Sequence, residues 1–188
     1  MSYHPTIWRT CRVLANRRRL ACLRAVLQRP GLTVGDVATA AGLPDDQASL
    51  CLRALQARGL LHGSRVSRWV HYYPAPDPLV PVAAPILDAT RRALLKARMS
   101  EPQIISCLTA FTHPRRLSIL RTLLRSGHVG FSGLARAGQM SEAALFRHLM
   151  KLSNRGIVVE EDDKWTLCPR PSALARSFLL LIVNHPGT

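Results

Sequence analysis

With 26 basic residues against 11 acidic ones, this 188-residue chain carries a formal charge of +15, and 47% of it is hydrophobic. That apolar content can bury two small cores, and a positive field draws polyanions to the surface even where arginine-rich coding bias contributes, lysine occurring only at Lys96, Lys151 and Lys164. The longest apolar run, Phe178–Val183, is far too short to span a membrane, and five scattered cysteines (Cys11, Cys22, Cys51, Cys107, Cys168) do not make a disulfide framework. Met1–Thr10 lacks an apolar stretch before a small-residue cleavage site, so a reduced, cytoplasmic setting with no membrane partner is expected.

In chain order, Trp8–Leu14 is predicted to continue into a basic helix Arg17–Gln28, ended by Pro30-Gly31. A helix over Pro44–Arg58 precedes a hairpin over Leu60–Tyr73, with His62-Gly63-Ser64 near one bend and Arg65, Arg68, Trp69 and His71 along the strands. Pro74–Pro85, proline-rich and short of charge, reads as an ordered or semi-rigid linker. Helices over Ile86–Met99 and Gln103–Phe111 follow. After His113-Pro114, Leu117, Leu120, Leu123 and Leu124 form one apolar helix face that Gly127 ends. Phe131, Leu134 and Ala135 predict a short helix ending near Gly138. Ser141 then caps a helix carrying Leu145, Leu149 and Leu152 as far as Asn154-Arg155-Gly156. Strands Ile157–Glu160 and Lys164–Cys168 flank the acidic turn Glu161-Asp162-Asp163, and a helix over Ser172–Asn184 closes the chain.

The second half repeats the first. A constant displacement of 97 positions, as from Arg18 to Arg115, pairs Arg19, Leu20, Leu23, Arg24 and Leu27 with Arg116, Leu117, Leu120, Arg121 and Leu124. The same register pairs Ala38, Leu52, Leu55, Arg58 and Gly59 with Ala135, Leu149, Leu152, Arg155 and Gly156. Helix, short helix, turn, helix and hairpin is the order of a winged helix-turn-helix. The fold class expected is therefore mainly α with small β-hairpin wings: two tandem winged helix-turn-helix domains over 1–80 and 102–188, with a linker and connecting helix over 81–101.

The run LTAFTHPRRLSILRTLL (Leu108–Leu124), followed by LARAGQMSEAALFRHLMKLSNRGIV, resembles the ArsR-type winged-helix regulators of bacteria. LANRRRLACLRAVL with VATAAGLPDDQASLCLRALQARGLL is a weaker likeness to the same family. The resemblance implies a DNA-binding transcriptional repressor, in that family normally a homodimer whose domains pack through their first and last helices. Ile86–Met99 and Ser172–Asn184 would be the last helices here, so the tandem is expected to form an internal pseudo-dimer of its two domains. A homodimer of tandems, built on Phe178–Val183, is the alternative.

In helix-turn-helix proteins the N-terminal half of the second helix meets base edges, which singles out Ser141, Glu142, Ala143, Phe146 and above all Arg147. In the first half Asp45, Asp46 and Leu50 oppose that role, whereas Arg65 and Arg68 on the hairpin suit phosphates; Glu160, Glu161, Asp162 and Asp163 make the second hairpin the reverse. The helix starts add Arg18, Arg19, Arg115 and Arg116 as phosphate contacts. His148, Cys22 and Cys51 read as core. Arsenic- and metal-sensing relatives carry a Cys-x-Cys pair where Thr33–Val37 and Gly130–Leu134 stand. No histidine shows ligand spacing, and no catalytic grouping or phosphate loop appears, so no metal, cofactor or enzymatic activity is expected. The function expected is regulation of transcription through double-stranded DNA. The alternative is a winged-helix module that binds a protein through Phe146, Leu50 and the apolar tail.

Overall fold

A computed structural model describes residues 6–97 and 99–185. Residues 1–5, which carry much of the expectation about export, lie outside the described residues, as do Arg98, within the expected helix Ile86–Met99, and residues 186–188. The protein is mainly helical with two small antiparallel sheets. Helices α1 (Ile7–Leu14), α2 (Arg17–Gln28), α3 (Val34–Ala41) and α4 (Asp45–Gln56) lead into a hairpin of β1 (His62–Val66) and β2 (Trp69–Tyr73), then α5 (Ala83–Arg91). The second half has α6 (Glu101–Ala110), α7 (Pro114–Ser126), β3 (Val129–Gly130), α8 (Phe131–Ala137), α9 (Glu142–Ser153), β4 (Val158–Glu161), β5 (Lys164–Leu167) and α10 (Ala173–Asn184). Helices α2 and α7, α3 and α8, and α4 and α9 begin 97 positions apart, as from Arg17 to Pro114, so the internal repeat of the sequence is a repeat of structure.

The same register reaches individual hydrogen bonds. Arg19 Nε donates to the Val13 carbonyl and its Nη2 to the Arg12 carbonyl. Arg116, 97 positions on from Arg19, donates from Nε to the Ala110 carbonyl at 2.8 Å and from Nη2 to the Thr109 carbonyl at 2.7 Å. In both halves an arginine near the start of one helix closes the open carbonyls of the helix before it. Asn16 and His113, the paired N-caps, accept the backbone N–H of Arg19 and Arg115. Asn16 also corrects one expectation: α1 does not continue into α2, because Ala15-Asn16 leaves the helix and its side chain starts the next one.

The first hairpin turns at Ser67-Arg68, with Val66 opposite Trp69, whereas His62-Gly63-Ser64, expected near a bend, lies within β1. Gly63 serves packing there, since a Cβ would sit 3.2 Å from Val70 Cγ1. In the second hairpin Glu161 extends β4 opposite Lys164, and the turn is Asp162-Asp163, both at positive φ as a type I′ turn requires. The second sheet gains a third strand, β3 beside β5, while the first stays two-stranded with an isolated Leu32–Tyr72 bridge beside β2.

The expected helix Ile86–Met99 is in two parts, α5 and a π-helical turn over Arg92–Lys96, where Ala97 N–H reaches back to the Arg92 carbonyl at 2.8 Å. The segment before α5 is ordered as expected: Asp77 N–H bonds the Gly59 carbonyl at 2.9 Å, and Val80 and Val82 are buried. The two halves pack together, α1 on α6 and α5 on α10, with α2 also touching α6. Their apolar residues join one continuous core in which Phe111, at the end of α6, stacks on Phe178 of α10 with centroids 5.2 Å apart. Such a buried ring pair adds roughly 0.5–1.5 kcal/mol beyond area burial. Glu101 of α6 receives Arg17 at 3.7 Å and Arg24 at 3.4 Å from α2.

Candidate nucleic-acid interface

Helix α9 starts where Ser141 Oγ accepts the Ala144 N–H at 3.4 Å, and its periodicity divides it cleanly. Ala144, Leu145, Leu149 and Leu152 are buried against the second half's core, so Ser141, Glu142, Ala143, Phe146 and Arg147 are turned together to solvent. The five residues read from the sequence therefore share one exposed face, with Phe146 54% exposed. That face carries one acid and one base, and the helix N-terminus beneath it adds a partial positive charge.

The corresponding helix α4 presents Asp45, Asp46 and Leu50 outward, Leu50 being 59% exposed. Carboxylates there repel phosphates. The first hairpin compensates: Arg65 and Arg68 are both exposed, Arg65 Nε donates to the Ser67 carbonyl at 3.3 Å, and the Arg68 guanidinium lies 5.1 Å from the Trp69 ring centroid. The second hairpin ends in the exposed Glu160, Glu161, Asp162 and Asp163.

The four helix-start arginines divide in two. Arg18 and Arg115 are exposed in the first turns of α2 and α7 and remain available to a polyanion. Arg116 is corrected from a contact residue to a structural one, whereas the half-buried Arg19 keeps part of its guanidinium at the surface. Arg116 is 4% exposed and also donates to Thr112 Oγ1 at 2.7 Å, so its charge is spent on the end of α6; Arg19 donates to the end of α1 but is only half-buried.

Beside α9 the His113 and His148 rings meet at 4.7 Å. Burial, then His113 and the cations Arg116, Arg115 and Lys151, push His148 down to about 4; burial and the same cations with Arg12 lower His113 as well. His148 is half-buried and packs as expected, with its Nδ1 buried and without a hydrogen-bond partner. Cys22 and Cys51 are buried side by side, and burial raises Cys22 to about 12, which keeps it an unreactive thiol.

Among the described residues, no group of three or more His, Cys, Asp or Glu side chains could hold a metal ion. A basic cavity of about 380 Å³ lined by Trp8, Arg9, Arg12, Val13, Arg19 and Arg58 was missed in the sequence. The spacing of Arg9 and Arg12 beside Trp8 on one helix was its available signal. No helix among the described residues is long and apolar enough to cross a membrane.

No family model and no curated protein matches this chain. Among solved structures it is similar to human N-acetylserotonin methyltransferase in complex with SAM, at 15% sequence identity and a TM-score of 0.33. The match covers 78% of this chain and 39% of that chain, so the protein spans well under half the length of the enzyme it matches. Contrary to the expectation of no enzymatic activity, the solved structure matched here is that of an enzyme. A likeness this slight gives the chain neither an activity nor a cofactor.

Proposed function

We propose that the protein is a regulator of transcription, a repressor, that binds double-stranded DNA through two winged helix-turn-helix domains in tandem, over 1–80 and 102–188, joined by residues 81–101. The observation that carries this reading is the outward face of α9, where Ser141, Ala143, Phe146 and Arg147 stand clear of the core on a helix that begins with its N-terminus exposed. A helix of that width fits the roughly 12 Å major groove, and a guanidinium on it can take guanine O6 and N7 together. Arg65 and Arg68 on the first hairpin, with Arg18 and Arg115, supply phosphate contacts.

The pairing of α1 with α6 and of α5 with α10 supports an internal pseudo-dimer, each half giving its first and last helix to the contact. The work is then unequal: the second half discriminates sequence, and the first, whose Asp45 and Asp46 hinder deep entry of α4, holds the backbone. The exposed Phe146 and Leu50 favour a second reading, a module that binds a protein through these side chains.

A gel-shift titration against random competitor duplex over a salt series separates the two. DNA binding through arginines gives a log–log salt slope of about −0.9 per phosphate contacted. Absence of binding at about 50 mM salt to any fragment of the protein's own locus would leave the protein-binding module, given that several phosphate contacts hold at low salt.

A further inference from the structure

Between α5 with its π-helical turn and α10 lies a groove of about 450 Å³, at the seam where the two halves meet. Its volume falls within the range of small-molecule sites, about 300–1,000 Å³. Ala93, Ala97, Leu174 and Leu180 make an apolar floor, small on one wall and branched on the other. Leu180 is 64% exposed at the groove's mouth and open to an occupant. Arg92 and Arg176, one from each half and both exposed, line it too, and no carboxylate is among the lining residues. Asp88 reaches Arg92 at 3.1 Å from the preceding helical turn, whereas Ser177 has its hydroxyl bound to the Ala173 carbonyl. The π-helical turn widens the backbone at this wall, a distortion that is costly in a regular helix and frequent at binding sites.

We propose that this groove binds a small amphipathic carboxylate, its hydrocarbon on the alanine and leucine floor and its carboxylate between Arg92 and Arg176. A second copy of the chain fits less well, since a two-fold contact across α10 would bring Arg176 near its own counterpart on a molecule of charge +15. An occupant touches the last helix of each half, so it biases how α4 and α9 are held relative to one another. That regulatory consequence rests on the DNA-binding reading; the binding itself does not, and it is measured without DNA.

The test is calorimetric titration of the full chain with dodecanoate below its micelle concentration, beside dodecanol and dodecyltrimethylammonium. One molecule of dodecanoate binds, about tenfold or more tightly than the alcohol, and the cation does not bind. Arg176→Gln removes the preference for carboxylate over alcohol. Ala97→Leu, at an exposed position that tolerates a larger side chain, fills the groove and abolishes both. Failure of dodecanoate to bind, equal binding of acid and alcohol, or unchanged binding by Ala97→Leu overturns the proposal. It is also overturned if anionic phosphatidylglycerol vesicles retain the protein while monomeric dodecanoate does not bind. A concentration-dependent dimer that Leu180→Arg dissociates and dodecanoate leaves intact assigns the groove to a second copy instead.

Discussion

Arg116 and Arg147 show how one residue type is sorted by what surrounds it. Both are arginines on amphipathic helices, and in the sequence both read as partners for DNA. Arg116 sits where the carbonyls of α6 are otherwise open, and three hydrogen bonds hold it at 4% exposure. The sequence did contain a signal: Arg19 and Arg116 keep the repeat register, and so do the helix ends before them, but a capping arginine and a phosphate contact look alike without the carbonyls in view. Arg116→Ala should lower stability by about 2–3 kcal/mol, as hydrogen bonds from a buried charged group are lost, while the salt slope of DNA binding is unchanged; urea denaturation and the gel shift together check this. His113 and His148 supply a pH dependence with a definite sign. Their folded values lie below the unfolded value of about 6.5, His148 at about 4, so the unfolded chain takes up protons first as pH falls. Stability is full above pH 6.5 and drains away as pH drops toward about 4. His148→Leu should flatten that fall, seen as a smaller change in urea midpoint between pH 7 and pH 5.

At the scale of elements, the helices and the acidic turn of the second hairpin were legible, and the bend of the first hairpin was not. Buried apolar residues three and four apart located α4, α7 and α9 to within two residues, because a packed helix face leaves a pattern that loops do not. The residues His62-Gly63-Ser64 suggest a bend, but Gly63 lets Val70 approach and the turn uses Ser67 at φ 57°. The π-helical turn over Arg92–Lys96 has no such pattern, since its apolar spacing is that of an ordinary helix. Two equivalent helix ends separate conformation from crowding. Gly59 and Gly156 both end a helix at positive φ, 67° and 63°, yet a Cβ at Gly59 would meet Asp77 Cβ at 2.9 Å and one at Gly156 meets nothing within 4 Å. Gly156→Ala should cost about 1 kcal/mol, the left-handed penalty alone. Gly59→Ala should cost clearly more, because the segment leading to α5 must also shift; equilibrium denaturation of the pair reads the difference.

For the whole molecule, the repeat was the feature most fully written in the sequence, since a register held over many positions is independent of any one residue's role. How the halves meet rests instead on the family resemblance, which pairs the last helices Ile86–Met99 and Ser172–Asn184. The apolar run at Phe178–Val183 is covered partly by α5 and also by α6, with Leu180 and Val183 left outside. Packing of α1 on α6 and α5 on α10 makes one body. Small-angle scattering should therefore give a radius of gyration of about 16 Å, the compact value for 188 residues, with a single-peaked distance distribution rather than two lobes.

The most direct measurement of the DNA-binding account compares Arg147→Ala with the unaltered chain on two duplexes, a selected site and a random sequence of equal length. If α9 enters the major groove as proposed, the substitution costs about 1–3 kcal/mol on the selected site and little on the random one. Equal losses on both duplexes would contradict it, reducing the exposed face of α9 to one more patch of positive charge.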